Sequence, residues 1–264
     1  MKSLITRSLV AIIFIPIILV SVYYGDNIFY IMIFMISILC VYEYLLIMKK
    51  YNIYNSIVLI ISTLFFIFSY FFDLKNSLIL TLTLILFILF AYEIILGTPN
   101  LSMSRIAIAF IGAFFIPMAL MHMVYIRNSH NGLEITLLIF VVTWISDTTS
   151  YIIGSNFGKY KLAKNISPNK TIEGCISGIA VGVITTIVLH YFFKNTFPTW
   201  KYIILGFIIT IIGQFSDISE SLIKRDGQVK DSSKIIPGHG GLLDRFDSYI
   251  FLAPALYYIN QLFL

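Results

Sequence analysis

The sequence predicts an all-α integral membrane protein with about nine transmembrane helices, on the evidence of its composition and of its long apolar runs. Of its 264 residues, 59% are apolar and only 12% are charged, whereas soluble domains average roughly 25% charged residues. The mean hydropathy is +0.92, and a helix needs about 20 apolar residues to cross a bilayer. The predicted spans cover residues 8–25, 28–48, 56–72, 76–96, 105–126, 135–154, 174–193, 202–219 and 247–263.

Short connections join these spans, so we expect one polytopic membrane domain over residues 1–264. Residues 1–134 supply hydrophobic spans, and residues 135–264 form a C-terminal half that contains the longer polar loops. The basic start "MKSLITR" resembles that of a signal peptide, but "SVYYGDN" lacks a small-x-small cleavage pattern, so the first span is expected to be retained. Cys40 and Cys175 lie in apolar spans and indicate neither a metal site nor a disulfide framework.

The distribution of Lys and Arg predicts a cytoplasmic N-terminus and a C-terminus outside. In that orientation the cations outside are Lys75, Arg127, Lys194 and Lys201. The others of the 18 lie inside, as the positive-inside rule requires. The net charge of +5 therefore indicates topology and not a nucleic-acid partner. Two polar loops, 155–173 and 220–246, share the cytoplasmic face, where they either build one site or only contact anionic lipid headgroups.

Four acids lie inside apolar spans, at Glu43, Glu93, Asp147 and Asp217. A charge at the middle of the bilayer costs about 2.5–3.5 kcal/mol on insertion scales, so such residues usually face the interior of a bundle. All four are predicted in the cytoplasmic halves of their spans, which favours a hydrophilic cavity that opens to the cytoplasm. The alternative for Glu43 and Glu93 is a shallow position at the interface, paired with nearby lysines.

A polar stripe is predicted where the eighth span continues as a helix beyond the membrane. Gln214, Asp217, Ser221, Lys224 and Arg225 then fall on one helical face. The stripe combines a carboxylate, a hydroxyl and two cations. It leads directly into the long polar loop.

A second carboxylate pair follows in "LLDRFD", where Asp244 and Asp247 share a face if this segment opens the ninth helix. With Asp217 they predict a site for Mg²⁺, which takes one or two carboxylates and leaves other positions to water and phosphates.

The same loop carries groups suited to phosphate. The amides of Gly240 and Gly241 can approach an anion, and Lys230 and Arg245 can neutralise charge on phosphoryl oxygens. His239 is either a phosphate ligand or acid/base group, or a loop histidine with a structural hydrogen bond.

These residues resemble the signature of the phosphatidate cytidylyltransferases, also called CDP-diacylglycerol synthases. The match consists of S-x-x-K-R at 221–225, K-D at 230–231 and P-x-H-G-G-x-x-D-R-x-D at 237–247. The segment "SDTTSYIIGSNFGKYKLAKNISPNKTIEG" is similar to a second polar stretch of that family. The similarity covers about residues 135–247, and the earlier spans agree only in being hydrophobic.

The resemblance implies a nucleotidyltransferase that transfers the cytidylyl group of CTP to phosphatidic acid. The products would be CDP-diacylglycerol, a phospholipid precursor, and pyrophosphate. The family is associated with Mg²⁺ and a second, monovalent cation such as K⁺, and is commonly dimeric. A homodimer in the bacterial plasma membrane, with its active site facing the cytoplasm, is therefore expected.

The resemblance also assigns roles to residues of this chain. The implied metal ligands are Asp217 and Asp244, and Asp247 is predicted as a supporting or second ligand. The implied catalytic and phosphate-binding residues are Ser221, Lys224, Arg225, His239, Asp244 and Arg245. The implied CTP-binding residues are Ser167, Lys170, Thr171, Lys230, Gly240 and Gly241. For Ser167, Pro168 and Thr171 the alternative is ordinary helix-start chemistry, and Asp147 is expected to support the cavity.

Two other classes of function stay open on spacing. A CTP-dependent lipid kinase or another lipid phosphotransferase would use similar groups, although "RDGQVKDSSK" does not match the D-G-x-x-A-R motif of the phosphotransferases that consume CDP-diacylglycerol. An ion-coupled transporter would explain the buried acids, but it predicts broken helices in paired halves, and the sequence has no such symmetry.

Overall fold

A computed structural model describes residues 2–71, 74–193, 197–236 and 240–263 as a bundle of helices with one small hairpin. The helices are α1 Lys2–Tyr24, α2 Asp26–Ile47, α3 Asn55–Phe71, α4 Leu74–Leu96, α5 Ser102–Phe110, α6 Ile116–Arg127, α7 Gly132–Phe157, α8 Ile172–Phe192, α9 Thr199–Asp226 and α10 Leu243–Phe263. A π-helical turn, Ile111–Phe115, makes α5 and α6 one continuous helix. A short 3₁₀ turn, Met48–Tyr51, follows α2.

The all-α membrane class is confirmed, because a helix occupies each predicted span within the described residues. Six helices there are long and apolar enough to cross a membrane, and Ile12–Tyr24 and Asn55–Phe71 are shorter apolar segments. The chain is therefore a multi-pass membrane protein. The number of crossings and their direction stay predictions.

The polar connections meet at one end of the bundle. Arg225 Nε donates to the Ile166 carbonyl at 3.0 Å. Lys50 Nζ donates to the Asp226 carbonyl at 2.6 Å, so the C-terminal ends of α2 and α9 lie together. This end, called the loop end below, contains residues 48–54, 158–171, 227–236 and 240–242.

Two contacts at the opposite end of the bundle join helix termini. Arg127, at the end of α6, donates from Nε to the Val22 carbonyl at 2.6 Å and so caps the C-terminus of α1. Tyr70, near the end of α3, donates to Asn27, at the start of α2, at 2.6 Å. These termini lie at the same end of the bundle if successive spans cross the membrane in alternate directions.

Small residues let α8 pack closely between α7 and α9. A Cβ atom on Gly178 would lie 3.0 Å from the Ser146 carbonyl oxygen, and one on Gly206 would lie 2.9 Å from the Val183 Cα. Close backbone approach of this kind is common between membrane helices. It brings Asp147 on α7 and Asp217 on α9 to the walls of one cavity.

The loop between α7 and α8 contains a hairpin that the sequence analysis did not predict. β1, Lys161–Ala163, pairs antiparallel with β2, Ser167–Thr171. Pro168 favours an extended conformation for the residue before it, so the helix-start interpretation is wrong for Ser167 and Pro168. It is confirmed for Thr171, the N-cap residue of α8, whose hydroxyl accepts from the Gly174 amide at 3.2 Å.

Candidate active site at the loop end

The predicted polar face of α9 is present, since this helix continues without interruption to Asp226. Ser221 and Lys224 are buried, and Asp217 is partly exposed. Sequence reasoning missed Glu220, which lies on the same face and is 2% exposed. Its spacing of four residues from Lys224, which is typical of an ion pair on a helix, was the available signal.

Lys224 joins two carboxylates across two helices. Its Nζ lies 2.6 Å from Glu220 Oε2 and 2.6 Å from Asp244 Oδ1. The contact connects α9 to the first turn of α10, which begins at Leu243, as predicted from "LLDRFD". Because two acids neutralise this cation, a substrate phosphate would have to displace one of them to reach it.

The second oxygen of Asp244 binds the polar loop. Asp244 Oδ2 accepts from the Gly241 amide at 2.8 Å and from the amide and hydroxyl of Ser232, both at 2.9 Å. Gly240 has φ +83°, in the left-handed region that favours glycine. The Gly241 amide, expected at a substrate phosphate, here binds a carboxylate of the protein, so its contact with phosphate stays a prediction.

Glu43 on α2 is the most enclosed acid of this region, with 0% of the residue exposed. Oε1 accepts from Ser233 Oγ at 2.6 Å and from the Leu242 amide at 2.9 Å. Oε2 accepts from Ser232 Oγ at 2.9 Å and from the Leu243 amide at 2.7 Å. Glu43 faces the interior of the bundle, as expected of an acid in an apolar span. Its described partners are serines and backbone amides, so the expectation of a shallow position paired with a lysine is wrong. A place for Glu43 in the wall of a hydrophilic cavity stays a prediction.

Glu93 forms a separate structural pair. Its carboxylate accepts from Arg105 Nε at 2.7 Å and from a terminal guanidinium nitrogen at 2.6 Å. Glu93 therefore pairs with a cation, but the partner is a buried arginine and not one of the lysines expected at the interface. Glu93 lines neither of the cavities described below.

A cavity of about 680 Å³ lies between the hairpin and helices α7, α8 and α9. Within it Lys170 and Asp217 form an ion pair. We call this space the polar cavity. Its lining includes the predicted residues Ser167, Lys170, Thr171 and Asp217, together with Asp147, Lys161, Asn169 and Gln214. The structure therefore brings four predicted site residues to one cavity. Lys161 and Asn169 line the same cavity, and neither was predicted as a site residue.

A second cavity, of about 360 Å³, lies against α1, α7 and α10. Its walls include Phe14, Ile15 and Ile18 of α1 and Phe140 and Trp144 of α7. It is called the apolar cavity below, and its polar lining residues include Asp147, Asp244, Arg245 and Asp247. Asp147 lines both cavities and so forms part of the boundary between the two spaces.

The acids around this boundary have the oxygen donors that Mg²⁺ prefers. No group of three or more His, Cys, Asp or Glu residues in the described part of the chain is arranged to hold a metal. A magnesium ion that keeps one or two carboxylates and takes its other ligands from water and substrate phosphates fits this arrangement. Asp217 is the most accessible donor, whereas Asp244 is already bound by Lys224 and the loop.

Six described residues of the predicted site line neither cavity: Ser221, Lys224, Arg225, Lys230, Gly240 and Gly241. Arg225 donates to the Ile166 and Val229 carbonyls, at 3.0 and 3.1 Å. Lys230 is exposed in the loop and lines neither cavity. His239 lies outside the described residues, and its role stays a prediction.

Comparison with known proteins gives the same family along nearly the whole chain. The model of the cytidylyltransferase family matches residues 5–263. The phosphatidate cytidylyltransferase of Staphylococcus haemolyticus is 40% identical over 170 residues, 64% of each chain. That of Staphylococcus saprophyticus is 38% identical over 170 residues, again 64% of each. That of Staphylococcus epidermidis is 39% identical over 150 residues, 57% of this chain and 55% of the relative.

These matches thus span less than two thirds of the relatives' own length. The family model, in contrast, includes the hydrophobic N-terminal half, for which the sequence motifs gave no assignment. The chain therefore belongs to the cytidylyltransferase family.

Proposed function

We propose that this protein transfers the cytidylyl group of CTP to phosphatidic acid and releases CDP-diacylglycerol and pyrophosphate. The observation that carries the proposal is that Asp147 lines both the polar and the apolar cavity. One reactant is a soluble polyanion and the other is a lipid with a phosphate headgroup. Two cavities of different lining that share a lining residue suit this pair of reactants.

The polar cavity is suited to the nucleotide. Lys161 and Lys170 supply positive charge there, and Ser167, Asn169 and Thr171 supply hydrogen-bonding groups. Thr171 caps α8, and a helix N-terminus favours anions. We assign CTP to this cavity, with its phosphates towards Lys170 and Asp217.

The apolar cavity is suited to the lipid. Phe14 and Ile18 of α1, together with Trp144 of α7, offer surface to an acyl chain. Arg245 lines the same cavity beside Asp244 and Asp247, and it would contact the lipid phosphate. This assignment places the lipid phosphate near Asp147.

The reaction needs positioning and charge stabilisation more than a strong base. An oxygen of the phosphatidate monoester attacks the α-phosphorus of CTP and forms a new P–O bond. The bond from the α-phosphorus to the oxygen bridging to the β-phosphorus breaks, and that oxygen leaves with the electron pair on pyrophosphate. The attacking monoester is already anionic at neutral pH, so a general base such as His239 is not required.

The cofactor proposal is Mg²⁺, with a second, monovalent cation. When bound, Mg²⁺ supplies Lewis-acid stabilisation of charge on the phosphoryl oxygens. Asp217 and Asp244 are the proposed ligands, with Asp247 in support. Ser221 and Lys224 are proposed phosphate contacts, and Lys224 would reach the reactants only after its contacts with Glu220 and Asp244 rearrange. Arg225 is a secondary candidate, because in the structure it donates to the carbonyls of Ile166 and Val229. Lys230, His239, Gly240 and Gly241 remain secondary candidates.

The proposed setting is the bacterial plasma membrane, with nine crossings, a cytoplasmic N-terminus and the loop end in the cytoplasm. The concentration of Lys and Arg near that end supports this orientation. We further propose a homodimer, with residues 135–264 as the catalytic half of a single domain. Labelling of single cysteines introduced at Lys164 and Arg127 with an impermeant maleimide in intact cells tests the orientation, and only the cysteine at 127 is expected to react.

The reaction is tested with purified protein in detergent, phosphatidic acid, Mg²⁺ and CTP labelled at one phosphate. Label from α-labelled CTP should enter the lipid phase, whereas label from γ-labelled CTP should stay aqueous. Transfer of the γ-label would instead identify a lipid kinase. If neither label enters the lipid, the proposed function is wrong.

A further inference from the structure

We infer that Glu43 is a positioning residue, whose buried carboxylate holds the polar loop so that Asp244 is oriented for the cation of the site. The inference rests on the proposed function for its catalytic consequence. The anchoring itself depends only on contacts within the protein. It also gives a function to the N-terminal half, where sequence motifs indicated none.

Four hydrogen-bond donors converge on the Glu43 carboxylate. Each oxygen of Glu43 accepts one serine hydroxyl and one backbone amide. The hydroxyls come from Ser232 and Ser233 on one side of the loop, and the amides come from Leu242 and Leu243 on the other. A single carboxylate therefore joins both sides of the loop to α2.

The Glu43 carboxylate accepts from amides at the N-terminus of α10. The amides of Leu242 and Leu243 lie at the start of α10, where backbone N–H groups have no partner within the helix. Glu43, on another helix, accepts from them and places negative charge at the positive end of the α10 dipole. A glutamine has only one acceptor oxygen, and its NH₂ group only donates, so it cannot replace all four contacts.

Glu43 is connected to Asp244 through Ser232. Ser232 Oγ lies 2.9 Å from Glu43 Oε2 and 2.9 Å from Asp244 Oδ2, so one hydroxyl links the two acids. Gly241 donates its amide to Asp244 and directly precedes Leu242, which donates to Glu43. A Cβ atom on Gly241 would overlap both Ser232 and the Glu43 carboxylate, so the loop backbone packs closely against both side chains here. Loss of the Glu43 contacts would therefore disturb Asp244.

The test compares Glu43→Gln with two other variants. Glu93→Gln is the matched control, since Glu93 is also a buried acid of the N-terminal half but pairs with Arg105. Ser233→Ala removes a single hydroxyl from Glu43 and leaves the Leu242 amide on the same oxygen. Folding of each variant is checked by its elution as a single species in detergent.

Two readouts are used. Hydrogen exchange of the amides at 242 and 243, followed by mass spectrometry without substrate, should be faster in Glu43→Gln and unchanged in Glu93→Gln. The Mg²⁺ concentration for half-maximal activity should rise about 10- to 100-fold in Glu43→Gln, the usual cost of losing a partner that orients a metal ligand. The KM for CTP should change little. Ser233→Ala should shift the Mg²⁺ requirement less, and should add nothing in the double variant.

Unchanged exchange in a folded Glu43→Gln protein would overturn the anchoring. Faster exchange with an unaltered Mg²⁺ requirement would overturn the positioning role. If Glu43→Gln does not fold, an unchanged Mg²⁺ requirement in Ser233→Ala overturns the inference and an increased one supports it. If the wild-type protein labels no lipid, the proposed function has failed, while the exchange comparison still decides whether Glu43 anchors the loop.

Discussion

The two polar segments at the loop end use their polar groups in opposite ways. In the hairpin segment 158–171, Lys161, Ser167, Asn169 and Lys170 line a cavity that a ligand can enter. In the segment 227–242, the described serine hydroxyls and the Gly241 and Leu242 amides bind two acids of the protein. The first segment is therefore arranged to receive a reactant, and the second is arranged to hold Asp244 and α10 in place.

This contrast shows that a polar loop in an apolar chain is not by itself a binding surface. Both segments resemble family motifs and both contain Lys, Ser and Gly. What separates them is where their donors point. Substitutions that distinguish binding from internal support test the comparison most directly.

The largest effects are expected for Asp217→Asn and Asp244→Asn, which remove one proposed metal ligand each. Both should lower turnover by at least about 100-fold, because charge stabilisation of the transition state is lost. Only Asp244→Asn should also destabilise the fold, by about 1–3 kcal/mol, since it leaves loop donors without an acceptor. Activity assays and thermal unfolding in detergent measure the two effects separately.

Asp217 provides the internal control for this pair. Its side chain is 29% exposed and pairs with Lys170, so its loss should leave the melting temperature nearly unchanged. Near-normal turnover of either variant would contradict the metal assignment. Equal destabilisation by both would remove the proposed difference between the two segments.

Lys170→Gln should weaken CTP binding, with Lys164→Gln as its control. A charged hydrogen bond to phosphate is worth about 1.5–3 kcal/mol, which corresponds to an increase of about 10- to 100-fold in the KM for CTP. Lys164 is exposed in the same hairpin segment and does not line the polar cavity, so its variant should bind CTP normally. Equal KM values for the two variants would show that CTP is not bound beside Lys170.

The sequence predicted what depends on neighbouring residues. Apolar runs located the helices, and helical spacing placed Asp217, Ser221 and Lys224 on one face of α9. The same reasoning would have found Glu220, because it follows the same spacing. Pro168 also carried a local signal for the extended β2 strand.

The partners of Glu43 could not be predicted in this way. They are separated from it by 189 to 200 residues along the chain, and no periodicity connects such distant positions. The acid was visible as a buried charge, and the serines were visible as loop residues. Only the packing of α2 against the loop end shows that they belong together.

Gly240→Ala and Gly97→Ala separate backbone strain from damage to the site. Both glycines have positive φ, +83° and +65°, and an alanine in this region costs about 1–2 kcal/mol. A Cβ atom at Gly97 would meet nothing within 4 Å, whereas one at Gly240 would lie 2.6 Å from Asp244 Oδ2. Both variants should melt at lower temperature, and only Gly240→Ala should lose activity, by several-fold. A fully active Gly240→Ala enzyme would show that the Asp244 contacts tolerate displacement.

The smallest effect is expected for Arg225→Lys, at the residue that connects the two segments. In the structure its guanidinium donates to a carbonyl of each segment, at Ile166 and Val229. A lysine cannot reproduce this fork of donors, but the contacts are exposed, so we expect a slightly lower melting temperature and a KM for CTP within about three-fold of wild type. If Arg225 instead turns to contact phosphate during the reaction, the same substitution should raise the KM by about ten-fold or more. The KM for CTP therefore decides whether Arg225 belongs to the internal support of the second segment or to the ligand-binding surface of the first.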